Sequence, residues 1–145
     1  MRFEYENLNA DDLRGATVLE YLVNVEADVR LLDDAGEVLY SESDFPVLEL
    51  ACHLLAWWQD GAERGPFTLD DTMVGSSFSE PGVIRFDPVD GGQWLFSSVF
   101  HPDRSGYRVT AAEMAAAVSE FAERLRADLP ALRLDPALVA AETVR

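Results

Sequence analysis

The sequence predicts an α+β fold, an antiparallel sheet of about five or six strands with two amphipathic helices packed on one of its faces, in the order βββα-ββ(β)-α. Three observations predict it. Apolar and polar residues alternate in several short stretches, which is the period of a strand with one buried face. Turn-forming residues separate these stretches. Two further stretches repeat their apolar residues at helical spacing, behind residues that start helices.

The first half of the chain is predicted to supply three strands. Residues 2–8 alternate aromatic with charged side chains, and residues 18–32 continue such an alternation over a longer stretch. Residues 33–36 have turn chemistry, with a glycine able to adopt positive φ, so residues 37–43 should return as the hairpin partner. One wet and one apolar face is typical of an antiparallel sheet.

A first helix is predicted over residues 45–59. Asp44 can cap its start, and Pro46 suits its first turn because proline needs no backbone donor there. Its buried face should be the apolar one, formed by Val47, Leu50, Ala51, Leu54, Leu55 and Trp58. Glu49 and His53 then lie together on the opposite, exposed face.

The second half of the chain repeats the order of strands followed by a helix. Short extended pieces are predicted at residues 67–69 and 73–78. Residues 83–86 and 93–100 flank a turn with two adjacent glycines, which predicts a second hairpin. Residues 107–109 favour one more short strand before the last helix.

Thr110 and Glu113 form a capping-box pattern that predicts the start of the last helix, which should run to Asp128. Its apolar face is formed by Met114, Val118, Phe121, Ala122, Leu125 and Leu129. Residues 1–129 are therefore expected to form one domain. Residues 130–145 are a short tail that either forms one short helix or is mobile.

The formal charge of −16 comes from 27 acids and 11 bases, and every base is arginine. A GC-rich genome or a saline host would favour this composition without any functional reason. The functional interpretation is a basic protein partner, because a strongly negative field attracts cationic surfaces and repels nucleic acid and anionic membranes. We expect neither nucleic acid nor a membrane as a partner.

Cysteine content and hydropathy predict the compartment. Cys52 is the one cysteine, so no intramolecular disulfide can form, and the apolar helix around it favours a buried, inert thiol. The first residues are acidic where a secretory signal would be basic and then apolar. No apolar run approaches the roughly 20 residues that cross a bilayer. A cytoplasmic protein without cofactor or metal is expected.

One candidate site for chemistry combines Glu49 and His53, four residues apart on one helix, with His101. These side chains could share a metal or a proton, which makes a small metal-assisted or acid/base enzyme an alternative function. A solvated contact between Glu49 and His53 is the competing explanation, because catalytic zinc needs three convergent protein ligands. We assign no catalytic residue.

The candidate partner-binding residues are Glu26, Asp28, Asp33, Asp34 and Trp57. The four acids lie on the wet face of the long predicted strand and in the turn that follows it, so they should lie close together. Trp57 either fills the gap between helix and sheet or is a partly exposed aromatic anchor at the border of the core face. A homodimer formed through the sheet remains a further alternative.

Three segments, MRFEYENLNADDLRGA, FPVLELACHLLAWW and GQWLFSSVF, resemble a family of small uncharacterised proteins from high-GC actinobacteria. The resemblance runs from Met1 to about Leu129 and implies no activity and no functional residue. Size, acidity and element order are also similar to those of acidic bacterial immunity proteins, as a type of protein rather than by motif. The leading hypothesis is a non-enzymatic acidic domain, immunity or antitoxin-like, that binds a basic protein.

Overall fold

The computed structural model describes residues 1–69 and 82–145, which form two antiparallel sheets and three α-helices. The first sheet has the order β1-β2-β3, with β1 at Arg2–Asn9, β2 at Glu26–Leu32 and β3 at Val38–Pro46. The second has the order β4-β5-β6-β7, with β4 at Phe67–Thr68, β5 at Arg85–Val89, β6 at Gln93–Ser97 and β7 at Arg108–Val109. The helices are α1 at Val18–Asn24, α2 at Val47–Gln59 and α3 at Ala111–Asp128.

The predicted α+β class is confirmed, but the expectation of one continuous sheet is wrong. The reason lies in α2, which is apolar on almost every side and therefore needs neighbours all around it. It contacts β2 of the first sheet, and its Trp57 packs against Phe86 and Trp94 of the second.

The predicted extended piece at residues 73–78 lies outside the described residues.

Residues 18–24 form α1, although the sequence predicts them as the first part of a long strand. Thr17 caps this helix, because its hydroxyl accepts a hydrogen bond from the Glu20 amide at 3.2 Å. The Thr-x-x-Glu pattern was a helix-start signal that the apolar alternation obscured. The strand after α1 is therefore only seven residues long.

The start of α2 also differs from the prediction. Asp44 is not a helix cap, because β3 continues through Asp44 and ends at Pro46. The strand persists because Phe45 and Pro46 are both buried and pair with β2. Among the described residues no side chain caps α2; its first amide, that of Val47, donates instead to the Val25 carbonyl at 3.0 Å.

The long helix α3 packs on β1, an edge strand of the first sheet. Its start is the predicted capping box of Thr110 and Glu113. The Tyr5 hydroxyl donates to Asp128 at 2.5 Å, and the Arg124 guanidinium donates to the Tyr5 carbonyl at 2.8 Å. Burial and the bond to Asp128 raise the pKa of Tyr5, so this hydroxyl stays protonated and keeps donating to α3.

The tail, residues 130–145, packs against α2 and α3. Three short 3-10 turns follow α3, at Leu129–Leu132, Pro136–Leu138 and Ala141–Val144. Val139 and Ala141 are buried. The Arg126 guanidinium donates two hydrogen bonds to the Val139 carbonyl, at 2.7 and 3.0 Å, and the Cys52 thiol donates to Leu138 at 3.3 Å. The tail thus covers one side of α2.

One cluster of buried side chains connects the two sheets and the helices. Phe3 of β1 lies with its ring centroid 6.5 Å from Phe86 of β5 and 5.2 Å from Phe121 of α3.

Of the helices in the described ranges, none is long and apolar enough to cross a membrane.

Candidate functional site

The four acids predicted as one binding patch lie at opposite ends of the first sheet. Glu26 and Asp28 are at the start of β2, whereas Asp33 and Asp34 follow its last residue. A strand rises about 3.3 Å per residue, so Asp28 and Asp33 are roughly 16 Å apart along the chain direction. The expectation that all four acids lie close together is therefore wrong.

Asp33 stabilises the β2–β3 turn, and Asp34 connects this turn to the N-terminus. Asp33 accepts hydrogen bonds from the amides of Ala35 and Glu37, both at 2.9 Å. Asp34 pairs with the ammonium group of Met1, which lowers the pKa of the Asp34 carboxyl. These two acids therefore have structural partners within the chain.

Trp57 is a core residue, 8% exposed, so it fills the gap between helix and sheet, which is one of the two alternatives that the sequence left open. Its indole N–H donates to the Gly65 carbonyl at 2.8 Å, and its ring lies 5.5 Å from that of Phe67. The border of the buried face is occupied by the partly exposed Trp58. The sequence assigned the two tryptophans in the reverse order, because it left out the second sheet, which covers the Trp57 side of α2.

A different group of acids gathers at the start of β2. We call it the acidic end, and it consists of Asp11, Asp12, Glu26 and Asp44. Partial burial and the charges of Asp12, Asp44 and Asp11 raise the pKa of Glu26. In the described part of the chain, the charged groups that shift this pKa are all acids. Asp11, Asp12 and Asp44 were missed in the sequence because they come from a loop and a strand end.

Irregularities in both neighbouring strands build the acidic end. The pairing register of β2 shifts on the β1 side and on the β3 side, and Asn7 and Asp44 have positive φ at these shifts. Asp28 lies between them. One of its carboxylate oxygens accepts from the Asn7 side chain at 2.7 Å, and the other accepts from the Asp44 amide at 3.2 Å. Asp28 thus fixes both bulges, and with them the position of Asp44.

Replacing Asp28 by asparagine is expected to reduce stability in a pH-dependent way. The bond from Asn7, and then that from the Asp44 amide, lowers the pKa of Asp28. A carboxyl with a lowered folded-state pKa stabilises the fold above its unfolded value, near 3.9, and loses this contribution as pH falls through the folded value. The difference in unfolding midpoint between wild type and Asp28→Asn should be largest above about pH 5 and shrink below about pH 3.

Asp90→Asn, in the exposed β5–β6 turn, is the matched control for Asp28→Asn. Denaturant titrations of the three proteins between pH 2.5 and 7 measure the difference. If the difference in unfolding midpoint between wild type and Asp28→Asn were the same at every pH in this range, the stabilising role of the ionised Asp28 would be contradicted.

The second candidate site is the pair Glu49 and His53. Glu49 is fully buried, contrary to the expected exposed position, and the His53 side chain is 14% exposed. The His53 Nε2 atom lies 3.8 Å from a Glu49 carboxylate oxygen. Such a pair can orient an imidazole that takes or gives a proton. The prediction placed Glu49 in water because α2 alone does not reveal what covers it.

His101 does not join this pair in the described structure. Its ring packs edge-on against Tyr40 of β3, with the centroids 5.7 Å apart. Within residues 1–69 and 82–145, no group of three or more His, Cys, Asp or Glu side chains is arranged to hold a metal ion. The three-residue centre of Glu49, His53 and His101 is therefore not assembled there.

Two arginines from elsewhere in the chain bind the carboxyl end of α2. Arg145 donates to the Ala56 carbonyl at 2.9 Å and to the Asp60 carboxylate at 3.1 Å. Arg64 donates to the Trp58 carbonyl at 2.8 Å, and its guanidinium lies 3.8 Å from the centre of the Trp58 ring. The last carbonyls of a helix lack partners within it and carry partial negative charge, so both contacts are favourable.

Comparison with known proteins identifies the family. Residues 1–131 match the model of a family described as Domain of unknown function (DUF7878). The chain belongs to this family. The chain matches no curated protein and no solved structure. The predicted resemblance to an uncharacterised family is confirmed by the DUF7878 match, which includes both described sheets and all of α1, α2 and α3.

Proposed function

We propose that the protein is a non-enzymatic binding domain whose acidic end holds a basic protein partner. The observation that carries this proposal is the surroundings of Glu26: three acids lie near it, and partial burial together with their charges raises its pKa. Like charges held close together repel, and a cation placed between them removes that repulsion. The repulsion among these acids lowers the stability of the free protein. A basic partner would relieve it, and this relief would favour binding. Neutralisation of a toxin, as immunity and antitoxin proteins do, is one form that this binding could take.

The overall charge supports the same proposal. The net charge of −16 attracts a cationic surface over the distance at which salt has not yet screened it. That distance is about 30 Å at 0.01 M salt and about 8 Å at 0.15 M. On the exposed face of the first sheet, Arg2 and Arg30 are already paired with Glu4 and Glu6. The acidic end is thus the more strongly negative part of this sheet.

A second candidate function is acid/base catalysis at Glu49 and His53. The observation in its favour is the buried carboxylate 3.8 Å from the imidazole. This function would be favoured over the first if the protein turned over a substrate, if His53→Gln abolished that turnover, and if the variant still bound a basic protein.

The experiment for the binding function measures association rates. Basic proteins captured from the host at low salt provide the partner, and the on-rate is then followed as salt rises. Neutralising the acidic end with Glu26→Gln and Asp44→Asn should slow association by about 3- to 10-fold at low salt. Asparagine is a suitable replacement for Asp44 because it tolerates the positive φ at this position.

The matched control is the double variant Asp90→Asn and Glu120→Gln, two exposed acids outside the acidic end. It has the same net charge as the first double variant, and we expect its on-rate to change by less than about twofold. Equal slowing in both double variants would mean that only total charge matters. An on-rate that ignores salt would likewise contradict the proposal.

A further inference from the structure

A pocket of about 210 Å³ opens beside the carboxyl end of α2. We call it the α2 pocket, and it is lined by His53, Ala56, Trp57, Asp60, Pro66, Phe67 and Thr68. The rings of Trp57 and Phe67, 5.5 Å apart, contribute its aromatic lining. Its charged group is the Asp60 carboxylate, and the buried Glu49 lies next to His53. An aromatic wall combined with negative charge suits a flat organic cation.

The chain itself places a guanidinium on this pocket. Arg145 donates to the Ala56 carbonyl and to the Asp60 carboxylate, and both acceptors belong to residues that line the pocket. Arg64, on the other side of Trp58, binds the same end of the helix through a carbonyl and a ring face. The acceptors here therefore match the planar, multiple donors of arginine.

His53 also lines the pocket. Its Nε2 atom is buried and lies 3.8 Å from the Glu49 carboxylate, which favours the tautomer with the proton on Nε2. The acceptors that the pocket offers to a cation are therefore the Asp60 carboxylate and the Ala56 carbonyl.

We propose that the α2 pocket recognises an arginine side chain of the basic partner, which replaces Arg145 at Asp60 and Ala56. This inference rests on the proposed function, because it names one anchor of the basic partner. The guanidinium would donate to Asp60 and to the Ala56 carbonyl, and it would pack against Trp57 and Phe67 where they line the pocket.

Arg145 is easily replaced. Its side chain is 46% exposed and that of Asp60 is 54% exposed, and exposed ion pairs of this kind contribute little. An arginine that enters the pocket makes the same contacts with Asp60 and Ala56 and adds contact with the aromatic rings that line the pocket. Arg145 therefore competes weakly with the incoming side chain.

The experiment uses a blocked glycyl-arginyl-glycine peptide, with lysine and citrulline versions as probes of charge and shape. Binding is followed by calorimetry and by the indole N–H resonance of Trp57. The arginine peptide should bind more tightly than both other peptides. In Arg145→Ala its affinity should rise about threefold, since a weak competitor is removed, and adding Asp60→Asn to that variant should lower affinity about tenfold. Unfolding curves establish that each variant is folded.

Equal affinity for the lysine peptide, no gain in Arg145→Ala, or no loss on adding Asp60→Asn would each overturn the inference. The double variant Glu26→Gln and Asp44→Asn should bind the arginine peptide as wild type does. If the peptide binds normally but the acidic end has no effect on the partner's on-rate, the proposed function fails alone. If the acidic end controls the on-rate but no peptide shifts the Trp57 resonance, only the pocket inference fails.

Discussion

Replacing Phe121 by alanine is expected to lower the free energy of unfolding by about 3 to 5 kcal/mol, the usual cost of emptying an aromatic site in a core. Phe121 is 2% exposed. Its ring centroid lies 5.2 Å from that of Phe3 and 6.0 Å from that of Tyr5, so it joins α3 to the first sheet. Denaturant titration with a comparison of slopes measures the change, since an unchanged slope shows that only stability has changed.

The neighbouring Glu120 supplies the control for this experiment. Glu120 is exposed on the same helix, and Glu120→Gln should change the free energy of unfolding by no more than about 0.5 kcal/mol. A loss below about 1 kcal/mol in Phe121→Ala would mean that α3 does not pack on β1 in solution as it does here.

The Cys52 thiol is expected to react with a disulfide reagent at least about 100-fold more slowly in the folded protein than in denaturant at pH 8. Burial raises the pKa of this thiol to about 11, from an ordinary value of 9.0. The reactive thiolate is correspondingly rare at pH 8, and the tail at Leu138 covers the sulfur. Release of the reagent's chromophore measures both rates.

A variant of the tail tests whether the tail, and not α2 alone, protects the Cys52 thiol from the reagent. Val139 is buried beside α2 and α3, and Val139→Asp should loosen the tail because an ionised carboxylate would lose its hydration in this apolar position. Labelling of Cys52 should then accelerate at least about tenfold, while the far-UV spectrum stays that of the folded protein. Cys52→Ser, which lacks the thiol, gives the background. Rapid labelling of the folded wild type would contradict the buried position of Cys52.

The sequence predicted some parts of the candidate sites and not others. Glu26 and Asp28 were selected as candidates because the exposed face of a strand is visible in the sequence as alternation. Asp44 was interpreted as a helix cap because the preference of aspartate for caps is a local signal. The structure instead places it at a bulge, where Asp28 accepts a hydrogen bond from its backbone amide. The α2 pocket combines residues from α2, the loop after it and β4, and no sequence spacing indicates that meeting.

Local signals in the sequence by themselves determined the α+β class, the hairpins and the start of α3. The capping box of Thr110 and Glu113 forms as predicted because its partners are three residues apart and need no tertiary contact. Tertiary structure alone decided that the strands divide into two sheets, that Glu49 is buried and that the tail covers Cys52. Burial depends on residues distant in the chain, so an apolar helix such as α2 indicates only that it will be covered and not by which elements.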